Sequence, residues 1–357
     1  MKSKLLWLLI GGLWLSGGQS FAQKLKDFER LHELDSVLVF EQRVHRNQWA
    51  YIQFLSEQFK AKSQFVPLYQ GVPLAAYAKL DTKWKIGNKA EALPLPKWAL
   101  QKGYKWDFWL QPDFKFFFGN KADPVESKGG LMLNTQLMLF KGMVLYTGLY
   151  VPLVNEFDNQ PLNLRLSPTY FNYLHKVGKE DFLSISAGGF LQDRYGFQGE
   201  WLHYPLDKSW SYGLKGSYTG FYYFYPETLK YTSFRDFSVL GHVAYRFKKN
   251  NVSLRVSGGQ FLYQDKGAKV ELIRQFRKLE IGFYGVSTQN GTTIGVNLAF
   301  KIPPKGTLGG EHFRLRTAKS YAWQYVYSRG YKIGEDFRLY QNLERDLRQY
   351  HVFYWNQ

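Results

Sequence analysis

From Trp106 onward the chain alternates. In Thr292–Ile302 the residues Ile294, Val296, Leu298, Phe300 and Ile302 take every second position, and Gly295, Asn297, Ala299 and Lys301 fill the places between. Successive side chains on a strand point to opposite faces, so this spacing predicts a strand with one apolar side and one small or polar side. Phe237–Phe247 repeats the pattern, with Phe237, Val239, Val243, Tyr245 and Phe247 opposed to Ser238, His242, Ala244 and Arg246, joined by Leu240. Val252–Gly258 sets Ser253, Arg255 and Ser257 against Val252, Leu254 and Val256. Strands of this kind are predicted near 107–118, 129–140, 143–153, 166–176, 181–191, 195–205, 209–222, 236–248, 252–264, 267–276, 277–289 and 292–302. Each is long enough for a tilted strand to cross a bilayer, which takes about 9–11 residues.

The connections alternate as well. "FKGM", "KVGKED", "PLDKSW", "FKKNN" and "QFRKL" are brief and basic, whereas those between them include long loops around 154–165 and 223–235. Short turns on one side and long loops on the other are the habit of transmembrane barrels. Leu131–Val154 could pass for a spanning helix, but Asn134, Gln136 and Lys141 would then lie in hydrocarbon at a cost of several kcal/mol. A hairpin turning at Lys141–Gly142 places them on the polar face or in the turn, and this reading is preferred.

The first third reads differently. Lys2 and Lys4, the apolar run Leu5–Leu15 and the small residues of Ser20–Ala22 predict a secretory signal peptide over residues 1–22. Leu25, Phe28, Leu31 and Leu34 have helical spacing. Ser36–Val44 is strand-like, Asn47 is placed to cap a helix to about Lys60, and Phe65–Leu80 is extended. These predict a small strand–helix–strand unit over 23–105, closed by a proline-containing linker at Ala92–Leu100.

Composition sharpens the choice of surroundings. The chain has no cysteine, so neither disulfides nor lipid attachment to a thiol is expected. It carries 47 Lys and Arg against 29 Asp and Glu, and 26 Tyr, 29 Phe and 11 Trp. Mean hydropathy is −0.37, against a helical membrane bundle. A soluble β-sandwich would alternate too. The export signal, the aromatic load suited to interfacial girdles, and the small residues on the polar faces favour lipid outside and a polar lumen within. Nucleic acid is not an expected partner of an exported chain.

Catalytic and metal signatures are not found in the sequence. The histidines, His32, His45, His175, His203, His242, His312 and His351, are scattered without ligand spacing. His242 reads as a polar lumen filler and Glu200 as an internal ion-pair partner rather than half of a carboxylate pair. "GTLGGEH" lacks the lysine and hydroxyl of a phosphate loop. No cofactor is expected. What stands out is charge at inward phases: Lys215, Arg246, Arg255 and Lys269 on separate strands, with Glu200 and Glu271 as the nearest acids. Two readings stay open, a self-neutralised interior or a basic lumen that attracts an acidic polymer.

Several stretches resemble the YjbH-like exopolysaccharide-biosynthesis proteins, a bacterial outer-membrane family that includes a group 4 capsule protein. They are "VFEQRVHRN" (Val39–Asn47), "GGFLQDRYGFQGEWLHYPLDKSWSYG" (Gly188–Gly213), "SGGQFLYQDKGAKVELIRQFRKLEIGFYG" and "GTTIGVNLAFKIPP". The resemblance implies a part in assembling or exporting a surface polysaccharide, with periplasmic export proteins as partners, and brings no catalytic residues. The expectation is thus an all-β chain: a transmembrane antiparallel β-barrel of about twelve strands over 106–304. A small periplasmic α+β domain precedes it, and a C-terminal extension at 305–357, periplasmic or plug-like, follows. The expected function is non-enzymatic assistance to exopolysaccharide or capsule biosynthesis and export at the outer membrane. The alternatives are a barrel enzyme acting on lipid or polysaccharide, and a diffusion porin.

Overall fold

The computed structural model describes residues 30–34, 36–41, 48–87, 106–118, 125–300, 302, 308–309, 313–318, 321–326, 332–336, 339 and 342–357. The predicted signal peptide and the Ala92–Leu100 linker lie outside them. The described chain is mostly β, and no helix is long and apolar enough to cross a membrane.

The N-terminal unit contains β1 (Arg30–Leu34), β2 (Val37–Glu41), helix α1 (Gln48–Gln58), β3 (Gln64–Tyr69), β4 (Val72–Pro73), β5 (Ala76–Leu80) and β6 (Lys83–Gly87). β2 and β3 are parallel, with α1 between them in the chain, so the strand–helix–strand reading holds. The helix forms where Tyr51, Ile52 and Leu55 fall on one stripe, and all three are buried. Phe40 meets Tyr51 edge-on at 5.4 Å. Of the Leu25–Leu34 stretch, residues 25–29 lie outside the described residues, and Arg30–Leu34 corrects the helical reading: it pairs antiparallel with β2, because a partner strand satisfies its backbone where a short helix would have stood alone.

Twelve longer strands form an antiparallel meander. They are β7 (Trp106–Phe118), β8 (Val125–Phe140), β9 (Met143–Asn155), β11 (Tyr170–Val177), β12 (Asp181–Phe190), β13 (Arg194–His203), β14 (Trp210–Phe224), β16 (Asp236–Phe247), β17 (Val252–Gln260), β18 (Lys266–Gln275), β19 (Leu279–Thr288) and β20 (Gly291–Phe300), with short β10 (Arg165–Leu166) and β15 (Leu229–Tyr231) in the long loops. Leu131–Val154 is the predicted hairpin, paired antiparallel across the Lys141–Gly142 turn. Gly142 is required there: its φ is +83°, and a Cβ would meet the Leu174 carbonyl oxygen.

The sheet continues past residue 304, beyond the predicted boundary. After β21 (Leu308–Gly309), β22 (Phe313–Thr317) pairs in parallel with β7, and β23 (Tyr321–Val326) pairs antiparallel with β20. β22 thus returns the far end of the chain to the side of its first long strand. Asp107 fastens this return, buried with Arg314 and Arg316 at 2.8 and 2.9 Å.

The two faces of the large sheet are opposite in character. On β16, Ser238, Leu240, His242, Ala244 and Arg246 are buried, while Phe237, Val243 and Phe247 are exposed. On β20, Thr293 is buried and Ile294 is 69% exposed. The phases read from the sequence hold.

Candidate functional site

The inward face gathers five of the six sequence-predicted charges into direct contacts. Arg255 lies 2.9 Å from Glu271, and Lys269 lies 2.7 Å from the other oxygen of the same carboxylate. Asn297 donates to Glu271 as well, at 3.3 Å. Lys215 reaches Asp336 at 2.8 Å. Arg246 donates to Asn251 and Gln275, both at 2.6 Å, and so has amide rather than carboxylate partners in those bonds. Glu200 sits directly across the ladder from Lys215, whose ammonium turns to Asp336 instead.

The C-terminal segment, expected to be periplasmic or plug-like, supplies contacts to the inward charges that the sequence reading did not assign. Its described pieces touch the inward face at successive depths. Near the long loops, Gly334 donates to Asp265, and Asp336 then takes Lys215. Helix α2 (Leu343–Arg348) presents Glu344 to Arg255 at 3.3 Å and to His242 at 3.8 Å. One turn on, Arg348 reaches Glu280 at 2.9 Å and returns to Glu344 at 3.1 Å. Helix α3 (Val352–Trp355) follows at the short-turn end, where the Val352 amide donates to the Leu206 carbonyl. Sequence signals were present: Asn342 caps α2 through the Arg345 amide, and Leu343/Leu347 and Glu344/Arg348 are i,i+4 pairs. Six residues are too few for periodicity to announce a helix.

Burial by itself would raise the Glu344 carboxyl, but Arg255 and Arg348 overcome this and hold it at about 2. Arg348 is pushed above its ordinary value: burial works against its charge, and Glu280 and Glu344 outweigh it. Burial drives His351 well below the usual imidazole value. Its Nδ1 accepts from the Phe353 amide, which leaves Nε2 to donate to the Lys208 carbonyl as a neutral ring.

The segment ends in the N-terminal unit. Trp355 packs on Tyr77 with ring centroids 4.0 Å apart and on Trp84 at 5.7 Å. Asn356 accepts from the Trp84 amide, Tyr77 donates to the Tyr350 carbonyl, and Tyr69 donates to Asp346 at 2.6 Å. One hydrophobic cluster therefore joins Leu38 and Phe40, the turn residues Tyr204 and Leu206, and Leu347 and Trp355. The two-residue β3–β4 turn, Gln70–Gly71 with both φ positive, presses into the same end of the sheet. Gln70 donates to Asn172 at 2.9 Å, and its carbonyl accepts from the Gly142 amide.

His242 lies midway along β16, covered by Glu344 rather than at a rim. No group of three or more His, Asp or Glu is arranged for a metal among the described residues.

The large sheet is apolar on its outward face and polar on its inward face, with a small α+β unit at one end. The family model described as "Exopolysaccharide biosynthesis protein YbjH" matches residues 58–294, and the chain belongs to this YjbH family. It is 25% identical over 219 residues to the "Uncharacterized lipoprotein YjbH" of Escherichia coli (strain K12), a match covering 54% of this chain and 31% of that protein. The chain thus matches less than a third of the length of that relative. No solved structure matches.

Proposed function

We propose that the chain is a non-enzymatic outer-membrane β-barrel that assists biosynthesis or export of an exopolysaccharide, with its N-terminal domain in the periplasm. One observation carries the reading: the twelve-strand sheet turns its apolar residues outward and its Ser, Asn, His, Arg and Glu inward. Ile185, Phe197, Leu214, Val243, Val256 and Phe283 are all exposed on the outward face. In water that surface would be an aggregation liability; against lipid it is what a barrel needs. Family membership supports the exopolysaccharide role, and the relative's description as a lipoprotein supports an envelope location. The orientation follows from the turns, because the N-terminal domain packs on the short, basic ones.

The polymer we favour is acidic. At rest the inward cations Lys215 and Arg255 are held by Asp336 and Glu344 of the C-terminal segment. Those carboxylates stand where a polymer's carboxylates would bind, so an acidic glycan and the segment compete for one set of cations. A diffusion porin needs an open passage, which this occupied interior does not favour.

The test combines Arg255→Glu with Lys269→Glu and measures surface polysaccharide beside heat-modifiable gel migration. The reading expects less polysaccharide from a barrel that still migrates as folded. Normal polysaccharide from a folded double variant would overturn the electrostatic role.

A further inference from the structure

Two described pieces of the C-terminal segment are held in different ways. Leu343, Glu344, Leu347 and Arg348 of α2 are all buried. Residues 332–336 lie more openly at the long-loop end, with the Lys332 and Asp336 side chains 58% and 36% exposed. Hydrogen bonds tie this outer piece to the loop at 261–265. The Leu262 amide donates to the Glu335 carbonyl, the Gly334 amide to the Asp265 carboxylate, and the Lys332 ammonium to the Tyr263 hydroxyl.

The loop that receives these bonds is strained. Tyr263 and Gln264 have φ of 60° and 61°, in the left-handed region that bulky residues avoid. Such a conformation persists only where its surroundings hold it, and residues 332–336 bond to Leu262, Tyr263 and Asp265 around it. Loosening the outer piece therefore also lets the loop relax.

The ion pair beneath it has an alternative. Lys215 lies 2.8 Å from Asp336. Glu200 stands directly across the β13–β14 ladder from Lys215, a position from which opposite charges on one face can meet. While Asp336 holds the lysine, Glu200 forms no ion pair among the described residues. Asp336 has one oxygen on Lys215, and its other oxygen is buried without a hydrogen-bond partner. Departure breaks the one bond and returns the other oxygen to water.

We infer that residues 332–336 form a latch with two states. In the closed state Asp336 holds Lys215; in the open state Lys215 turns to Glu200 and the latch leaves the long-loop end of the inward face. Lys215 keeps a carboxylate in both, which is how two arrangements of one chain come to lie close in energy. The inference deepens the proposed function, naming the part of the segment that an acidic polymer displaces first. It rests on that reading for the displacing ligand, and the two states are tested without any polymer.

The test labels Glu335→Cys and Phe197→Cys with nitroxides in the full chain, in detergent micelles, and measures their separation by double electron–electron resonance. Glu335 joins the latch through its backbone, and Phe197 is exposed on the outward face. Asp336→Asn should add a second distance and raise its share by about fivefold or more, the effect of losing a half-buried ion pair. Adding Glu200→Gln to that variant should lower the share again, because the open state then loses its own carboxylate. With Lys215→Gln in place, neither acid substitution should change the ratio. Neither acid is fully buried, so heat-modifiable migration should be unchanged. A single unchanged distance in Asp336→Asn, or a second distance indifferent to Glu200→Gln, would overturn the switch. Polygalacturonate should raise the open share of the wild-type chain, and dextran should not. Variants that switch beside a wild-type chain indifferent to polygalacturonate would overturn the acidic polymer and leave the latch standing.

Discussion

The N-terminal domain and the large sheet are built by opposite rules. In the domain, Leu38, Phe40, Tyr51, Ile52 and Leu55 are sealed inside, and all five residues of β2 are buried. In the sheet, Phe283 is 58% exposed while Glu271, Arg246 and His242 are buried. On the membrane reading proposed above, a single chain observes both rules because its two parts meet different solvents. Water drives apolar groups inward in the first, and lipid would remove that drive in the second, where polar groups must instead find partners inside. The C-terminal segment belongs to both: Glu344 and Arg348 enter the polar interior, and Trp355 ends in the apolar cluster of the domain.

That double membership gives the largest expected effect. Trp355→Ala should destabilise the contact between domain and sheet by about 3–5 kcal/mol, the usual cost of emptying a buried tryptophan site. Chemical unfolding followed by fluorescence measures it, and a loss under about 1 kcal/mol would show that the two parts stand independently.

Next comes the polar side of the same segment. Glu344→Gln should cost about 3 kcal/mol, because the buried Arg348 and the half-buried Arg255 lose their shared carboxylate. The pH dependence follows from the same group. Its folded value of about 2 lies below the unfolded carboxylate range, so its stabilisation is complete above that range and is lost as pH falls through about 2. His351 adds in the same direction: buried neutral, it costs stability as pH falls below the ordinary imidazole value. Release of the segment on acidification, followed by limited proteolysis near residue 342, should be shallow below the imidazole range and steep only in strong acid. Glu344→Gln should abolish the strongly acidic phase.

The smallest effect is at the boundary. Tyr69→Phe removes the bond to Asp346 and should cost about 1–2 kcal/mol, measured by the same unfolding curves.

Much of this architecture was legible because period two is a local signal. The faces of β16, β17 and β20 could be assigned from each strand's own residues, and the Leu131–Val154 hairpin from the cost of Asn134 and Gln136 in lipid. The inward charges were found in the same way, since phase alone puts Lys215 and Arg255 on one side. Glu271 could be named as a nearby acid in the same way, but the partners on the C-terminal segment, Asp336 and Glu344, were not legible. Arg255 and Glu344 stand far apart in sequence, and nothing local marks a six-residue helix as the counter-charge for a strand. β1 was misread for a related reason: Leu31 and Leu34 fit a helical stripe, and only the pairing with β2 decides otherwise. The return of β22 to β7 likewise depends on Asp107 meeting arginines from the other end of the chain.

The claim that lipid covers the outward face can be tested residue by residue, and the absence of cysteine makes single-cysteine labelling free of background. Val256→Cys, Phe283→Cys and Ile294→Cys place a spin label outward, while Ser257→Cys and Thr293→Cys place it inward. In reconstituted vesicles the outward labels should be relaxed by dissolved oxygen and not by a water-soluble nickel chelate, and the inward labels should show no such preference for oxygen. Outward labels that the nickel chelate relaxes as freely as oxygen does would contradict the account.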